Sequence, residues 1–151
     1  MNTLPIGITG FYHICGPSIP QVDTLLIQKL VDVFKNHPNF WKVQLIEQQA
    51  GNNFYMIIVN SKSGTNTIGI NTTYPMYCGI KGELDWQTVE FYDLPSYITS
   101  LIPNEFTELK TDFLNEPFKS RHLIALSKSE LEQINYWETE KVGNIIFNKY
   151  D

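Results

Sequence analysis

The chain has 151 residues, 42% of them hydrophobic and 18% charged, and a formal net charge of −5. That is the size of one domain, roughly 100–150 residues, and such a domain buries about 68–70% of its unfolded surface without needing a metal or a disulfide. The composition is that of a folded, soluble protein rather than a disordered one, and the acidic balance argues against nucleic acid or an anionic membrane as a partner, since both would repel it.

In chain order, the opening "NTLPIGITGFYHICGP" has no basic n-region and no long apolar run. It reads as neither a secretory signal nor a membrane span, so the expected location is cytoplasmic. Cys15 and Cys78 are then expected to be free thiols in a reducing compartment. The next stretch, "SIPQVDTLLIQKLVDVFKNHP", predicts an amphipathic helix from Val22, Leu25, Leu26, Leu30, Val33 and Phe34 at helical spacing. Ser18 and Gln21 have capping-box spacing, with Pro20 in the first turn, and His37-Pro38 ends the helix.

Four short β-branched or aromatic runs follow: "FWKVQLIEQQ", "NNFYMIIVNS", "TNTIGINTTYP" and "MYCGIKG". Ala50–Asn53 and Ser63–Asn66 have the composition of hairpin connections, and "WQTVEFYDLP" is a candidate further strand. In the first run Val43, Leu45 and Glu47 share one face, and Lys42, Gln44, Ile46 and Gln48 the other, as in an antiparallel meander with one buried and one wetter face. The last third turns helical. Pro103, Phe106, Leu109 and Phe113 predict one helix, Ser127 and Glu130 form a capping box before "LEQINYW", and Thr139 is placed to cap "EKVGNIIFNKYD". The expectation is a single α+β domain over 1–151: an antiparallel β-meander of about four to five strands, covered by the N-terminal amphipathic helix and by C-terminal helices that seal the core.

Charge is unevenly spread. From Glu83 to Glu116 there are eight acids against Lys110 alone, a net −7, which leaves +2 for the rest of a chain at −5. Trp86, Phe91, Tyr92, Tyr97, Phe106 and Phe113 are interleaved with those acids. Such a surface suits a basic protein partner, whose encounter it speeds and whose contacts the rings anchor. Acids also simply keep proteins soluble, and that plainer reading stands beside it.

Signatures of catalysis are missing: no phosphate-binding loop, no dinucleotide fingerprint, no His-Glu-x-x-His, no Cys-x-x-Cys and no nucleophile elbow. No catalytic residue, metal ligand or cofactor is therefore assigned. Three scattered features remain. His13 and Cys15, with Cys78 or His122, would have to converge to form a metal site or a Cys-His pair. The Tyr74–Gly82 corner has glycines that admit a ligand and a Tyr74-Pro75 bond of the kind that can be cis. Lys119, Arg121 and His122 form the one basic spot, able to hold a phosphate or to balance nearby acids.

The tail "YWETEKVGNIIFNKYD", preceded by "LSKSELEQI", resembles small bacterial immunity proteins of polymorphic and contact-dependent growth-inhibition toxin systems. In that pattern Trp137, Gly143, Phe147 and Asn148 read as a packed helix terminus. The resemblance implies a small acidic cytoplasmic protein that neutralises a cognate, basic, nuclease-like toxin domain by stoichiometric occlusion. The residues expected to meet that partner are Glu83, Asp85, Trp86, Glu90, Tyr92 and Asp93, with Glu105, Glu108 and Asp112 as a second cluster. The competing expectations are a cytosolic binding or assembly domain, and a small-molecule enzyme using the Tyr74–Gly82 corner with His13 or His122.

Overall fold

The computed structural model describes residues 1–11, 16, 18–48, 51–81 and 89–150. A helix starts where a side chain can take up its first free N–H groups. Here that side chain is Asp23, not Ser18: its carboxylate accepts from Leu25 N at 2.9 Å, and α1 runs Thr24–Lys35. The expected earlier start fails because Val22 N donates to Thr72 O at 2.9 Å, which commits the preceding chain to the sheet. The buried stripe is accordingly Ile27, Leu30, Val31 and Phe34, and Leu25 is left 76% exposed. After the helix, Phe40 meets Phe34 edge-on at 5.2 Å and turns the chain into the first strand.

Strands β1 (Phe40–Ile46), β2 (Phe54–Ser61), β3 (Gly64–Asn71), β4 (Met76–Ile80) and β5 (Phe91–Tyr92) form an antiparallel meander in that order. A hairpin is present where the second was predicted, but Ser61 pairs Gly64, so the turn is the two residues 62–63, and Gly64, Thr65 and Asn66 already belong to β3. The first predicted connection begins at Ala50, which lies outside the described residues. Val43 opposes Val59 and Leu45 opposes Ile57, so these side chains share one face, as the alternation predicts.

The chain from Pro103 to Phe113 is not one helix. A short helix α2 (Ser96–Thr99) precedes it, and a two-residue strand β6 (Thr107–Glu108) lies parallel to β4 before helix α3 (Thr111–Leu114) begins. The free edge of β4 overrides the helical pattern: Thr107 N reaches Pro75 O and Leu109 N reaches Tyr77 O, both at 2.8 Å. The effect on packing is large. Phe106 joins the core beneath α1, whereas Leu109 joins the core on the other face.

Helices α4 (Ser120–Leu123), α5 (Lys128–Tyr136) and α6 (Val142–Ile146) complete the chain. The sheet is thus the middle of three layers. One face carries Ile57, Val59, Ile68, Ile70 and Tyr77 under α1 and α2; the other carries Phe54, Cys78, Ile80 and Phe91 under the C-terminal helices. The Ser127–Glu130 capping box is present. Thr139 does not cap α6, which starts after Lys141; its hydroxyl meets that of Tyr150 instead. Gly143 is the close-contact point of this layer, since a Cβ there would lie 2.8 Å from Leu114 O and against the Phe91 ring.

The N-terminal segment is bound in by polar groups. The side-chain amides of Asn53 and Asn71 each donate to both Ile8 O and Ile146 O, at 2.8–2.9 Å. Glu130, fully buried, accepts from Gly7 N, Thr9 N, the Thr9 hydroxyl, Ser127 N and the Ser127 hydroxyl. Among the described residues no helix is long and apolar enough to cross a membrane.

Candidate partner-binding surface

Of the residues expected to meet a partner, Glu83, Asp85 and Trp86 lie outside the described residues. The others are placed by β5, β6 and α3. Tyr92 is half-buried and engaged in the fold: its hydroxyl donates to Asn66 Oδ1 at 2.7 Å, and burial pushes its pKa up. Asp93 is exposed, and its carboxylate accepts from Thr111 N and the Thr111 hydroxyl, steadying the start of α3. Glu108 is half-buried and pairs with Lys110 at 3.5 Å. Tyr77, nearby, has its pKa pushed up to about 12 by burial and then by the Glu108 charge. Asp112 is exposed in the first turn of α3, with no hydrogen-bond or ion-pair partner among the described residues. Glu105 instead reaches α1, where the Lys29 ammonium, 3.2 Å away, holds its carboxyl below the usual range.

The acids are therefore split three ways. Asp93, Glu108 and Asp112 surround the start of α3, Glu105 faces α1, and Glu90 lies on the wall of a cleft.

That cleft, about 1020 Å³, lies between the C-terminal segment and the chain on either side of residues 82–88. Lys81, Glu90 and Asn144 line it opposite Trp137, Glu138 and Tyr150. Its lip is aromatic. Trp137 stacks on Tyr150 with centroids 6.2 Å apart and planes within 9°, and Tyr136 meets Trp137 edge-on at 5.2 Å. The Trp137 indole N–H donates to Gln133 Oε1 at 3.1 Å, which fixes the ring. Tyr136 is nonetheless 74% exposed and Trp137 43%. The pattern of the tail suggests packing for Trp137, Gly143, Phe147 and Asn148; the last three are buried, and Trp137 is at the lip. Cleft walls also carry Glu138 and Glu140, with Lys141 and Lys149 on the basic side.

The other candidate features are absorbed by the fold. Tyr74 donates its hydroxyl to Ile6 O, and the Tyr74-Pro75 bond is trans, with no cis peptide among the described residues. Cys78 is buried beneath the C-terminal layer, and burial pushes its thiol well above the usual range, which disfavours the nucleophilic thiolate. His122 is buried, accepts from Lys119 N at Nδ1 and packs on Phe113. Arg121 pairs with Glu116 at 2.7 Å, so the basic spot balances a neighbouring acid. His13, Cys15 and Gly82 lie outside the described residues, and among those described no group of three or more His, Cys, Asp or Glu side chains could hold a metal ion.

A second, smaller cavity of about 330 Å³ adjoins the first at Gly51, Asn148 and Tyr150. Its described lining, which includes Thr9, Phe11, Gln48, Asn53 and Thr72, contains no charged residue.

No family model, no curated protein and no solved structure matches the chain.

Proposed function

We propose that this chain is an immunity-type protein that binds a basic, nuclease-like toxin domain and neutralises it by stoichiometric occlusion. The observation that carries this reading is the aromatic lip of the 1020 Å³ cleft: Trp137 lines it half-exposed, the exposed Tyr136 packs edge-on against that ring, and Glu90, Glu138 and Glu140 line the same cleft. Exposed rings at the mouth of a concavity are the usual anchors of protein interfaces, because they bury much area at little entropic cost. The acids of residues 83–116 supply a long-range field that steers a basic partner toward the molecule. The resemblance of the tail to immunity proteins names the class.

The test is a pull-down of the purified chain with the toxin domain encoded directly upstream, at low and at high salt. A one-to-one complex whose association slows with salt supports the reading; no complex overturns it. Replacing Glu83, Asp85, Glu90 and Asp93 by Ala should slow association, and affinity unchanged within about twofold removes those four from the interface.

A second reading, a small-molecule site, is favoured by one observation. Thr72, 7% exposed, lines the cavity whose described walls carry no charge, and its hydroxyl, open to solvent, makes no hydrogen bond among the described residues. A neutral sugar or amide fits that lining. Thermal-shift screening with neutral saccharides checks it, and Thr72→Val should abolish any stabilisation found.

A further inference from the structure

Helix α5 ends with Thr139 N donating to Ile134 O and Glu138 N donating to Asn135 O, the paired bonds that close a helix through one left-handed residue. That residue is Glu138, at φ 52, and among the described residues it is the only non-glycine with a positive φ. Glycine adopts this conformation freely, whereas any side chain there is strained. The two backbone bonds offset the strain, but glycine would make them equally well, and the Glu138 side chain adds nothing to them. The Glu138 side chain is exposed and makes no hydrogen bond or ion pair among the described residues. It stands instead on the lip of the cleft, next in sequence to the half-exposed Trp137 ring. A residue that weakens its own turn, and whose carboxylate the fold leaves unused, points to a role outside the fold.

We propose that Glu138 and Trp137 together receive an arginine side chain of the protein partner. The carboxylate accepts from the guanidinium fork while the indole receives its flat face on the side that Tyr150 does not cover. Arginine suits the pair better than lysine, because it is planar, stacks on rings and donates in a fixed fork. Lys81, Lys141 and Lys149 line the same cleft, so the selectivity is local to the lip and does not extend over the whole concavity. The assignment rests on the partner being a basic protein, and the experiment separates the two.

Hexa-arginine, hexa-lysine and hexa-glutamate are titrated into the intact protein while the Trp137 indole N–H resonance, assigned with Trp137→Phe, is followed. The wild type should shift with hexa-arginine, less with hexa-lysine and not with hexa-glutamate. Glu138→Gln removes the charge and keeps the backbone burden; Glu138→Gly removes both. Both should weaken hexa-arginine binding by roughly threefold to tenfold. Only Glu138→Gly should raise Tm, by roughly 2–4 °C. Wild type that ignores hexa-arginine, variants that bind it equally well, or a glycine variant that gains no stability would each overturn the assignment. A Glu138-dependent shift in a protein that captures no toxin domain would leave the lip assignment standing and overturn the immunity reading alone.

Discussion

The backbone N–H of Asn148 donates to the side-chain oxygen of Asn53, 2.8 Å away across 95 residues of sequence. This bond closes a ring of amides. Asn53 gives its own amide protons to Ile8 O and Ile146 O, and Asn148 gives its protons to Thr9 O and Ile145 O. Three distant parts of the chain are therefore joined through side chains where no strand pairing joins them. Asn53→Ala removes an acceptor from a buried N–H and one of two donors from each carbonyl. A loss of about 2–3 kcal/mol is expected in urea denaturation, and because Asn71 serves the same two carbonyls, the double variant should lose more than the sum of the singles.

Glu130 is surrounded by donors alone. Oε1 accepts from Gly7 N, Ser127 N and the Ser127 hydroxyl, and Oε2 accepts from Thr9 N and the Thr9 hydroxyl. Glu130→Gln preserves the shape but turns an NH₂ group toward two or three of these donors. The expected destabilisation is about 2–4 kcal/mol, with faster hydrogen exchange at Gly7 and Thr9 as its local signature. An unchanged denaturation midpoint would remove Glu130 as the fastener of the N-terminal segment.

His122 has its pKa lowered, first by burial and then by the Arg121 charge. The folded state therefore favours the neutral ring, which accepts from Lys119 N. Its contribution is complete above the ordinary histidine pKa, about 6.5, and is lost as pH falls below that value toward the depressed folded pKa. Melting curves at pH 7.5 and 5.5 should show a drop on acidification that shrinks in His122→Asn, an uncharged ring replacement that retains an acceptor near the Lys119 amide.

At the alkaline end the sign reverses. Burial pushes the Tyr150 phenol up to about 12, and the hydrogen bond with Thr139 partly opposes the rise. The unfolded chain loses this proton near pH 10, so stability declines between about 10 and 12. Tyr150→Phe should be weaker than wild type by about 1 kcal/mol at pH 7, through loss of the Thr139 bond, yet should fall less steeply above pH 10 in a denaturant series.

What could be read in the sequence was local. The existence of α1 with Leu30 and Phe34 on its buried side, a hairpin near Ser63–Gly64 and the Ser127–Glu130 box each depend on residues within a turn or two of one another, whereas the rest of the α1 stripe and the turn's register shifted. Long-range demands were hidden. Asn53, Asn71 and Asn148 have the composition of turns and helix ends, and nothing in their neighbours says that they share two carbonyls. The Phe106–Phe113 stripe fitted a helix until the edge of β4 claimed Thr107 and Leu109. For the candidate surface, the acids were legible as a charge excess, but their division among α1, α3 and the cleft depends on β6 and its parallel pairing. Trp137 was read with Gly143, Phe147 and Asn148 as part of a packed helix terminus; it ends α5 and is 43% exposed, whereas the other three are buried.

The polar fastening of residues 7–9 also sets a timetable. Their partners include Asn71, Glu130 and Asn148, the last separated from Thr9 by 139 positions. A ribosome delivers Gly7 and Thr9 long before it delivers those partners, so residues 7–9 have no final place until Glu130 and Asn148 have been made. The α1–β3 unit has its partners near at hand and can form early, whereas the N-terminal segment must wait, unprotected, and a protease acting during synthesis would find it first.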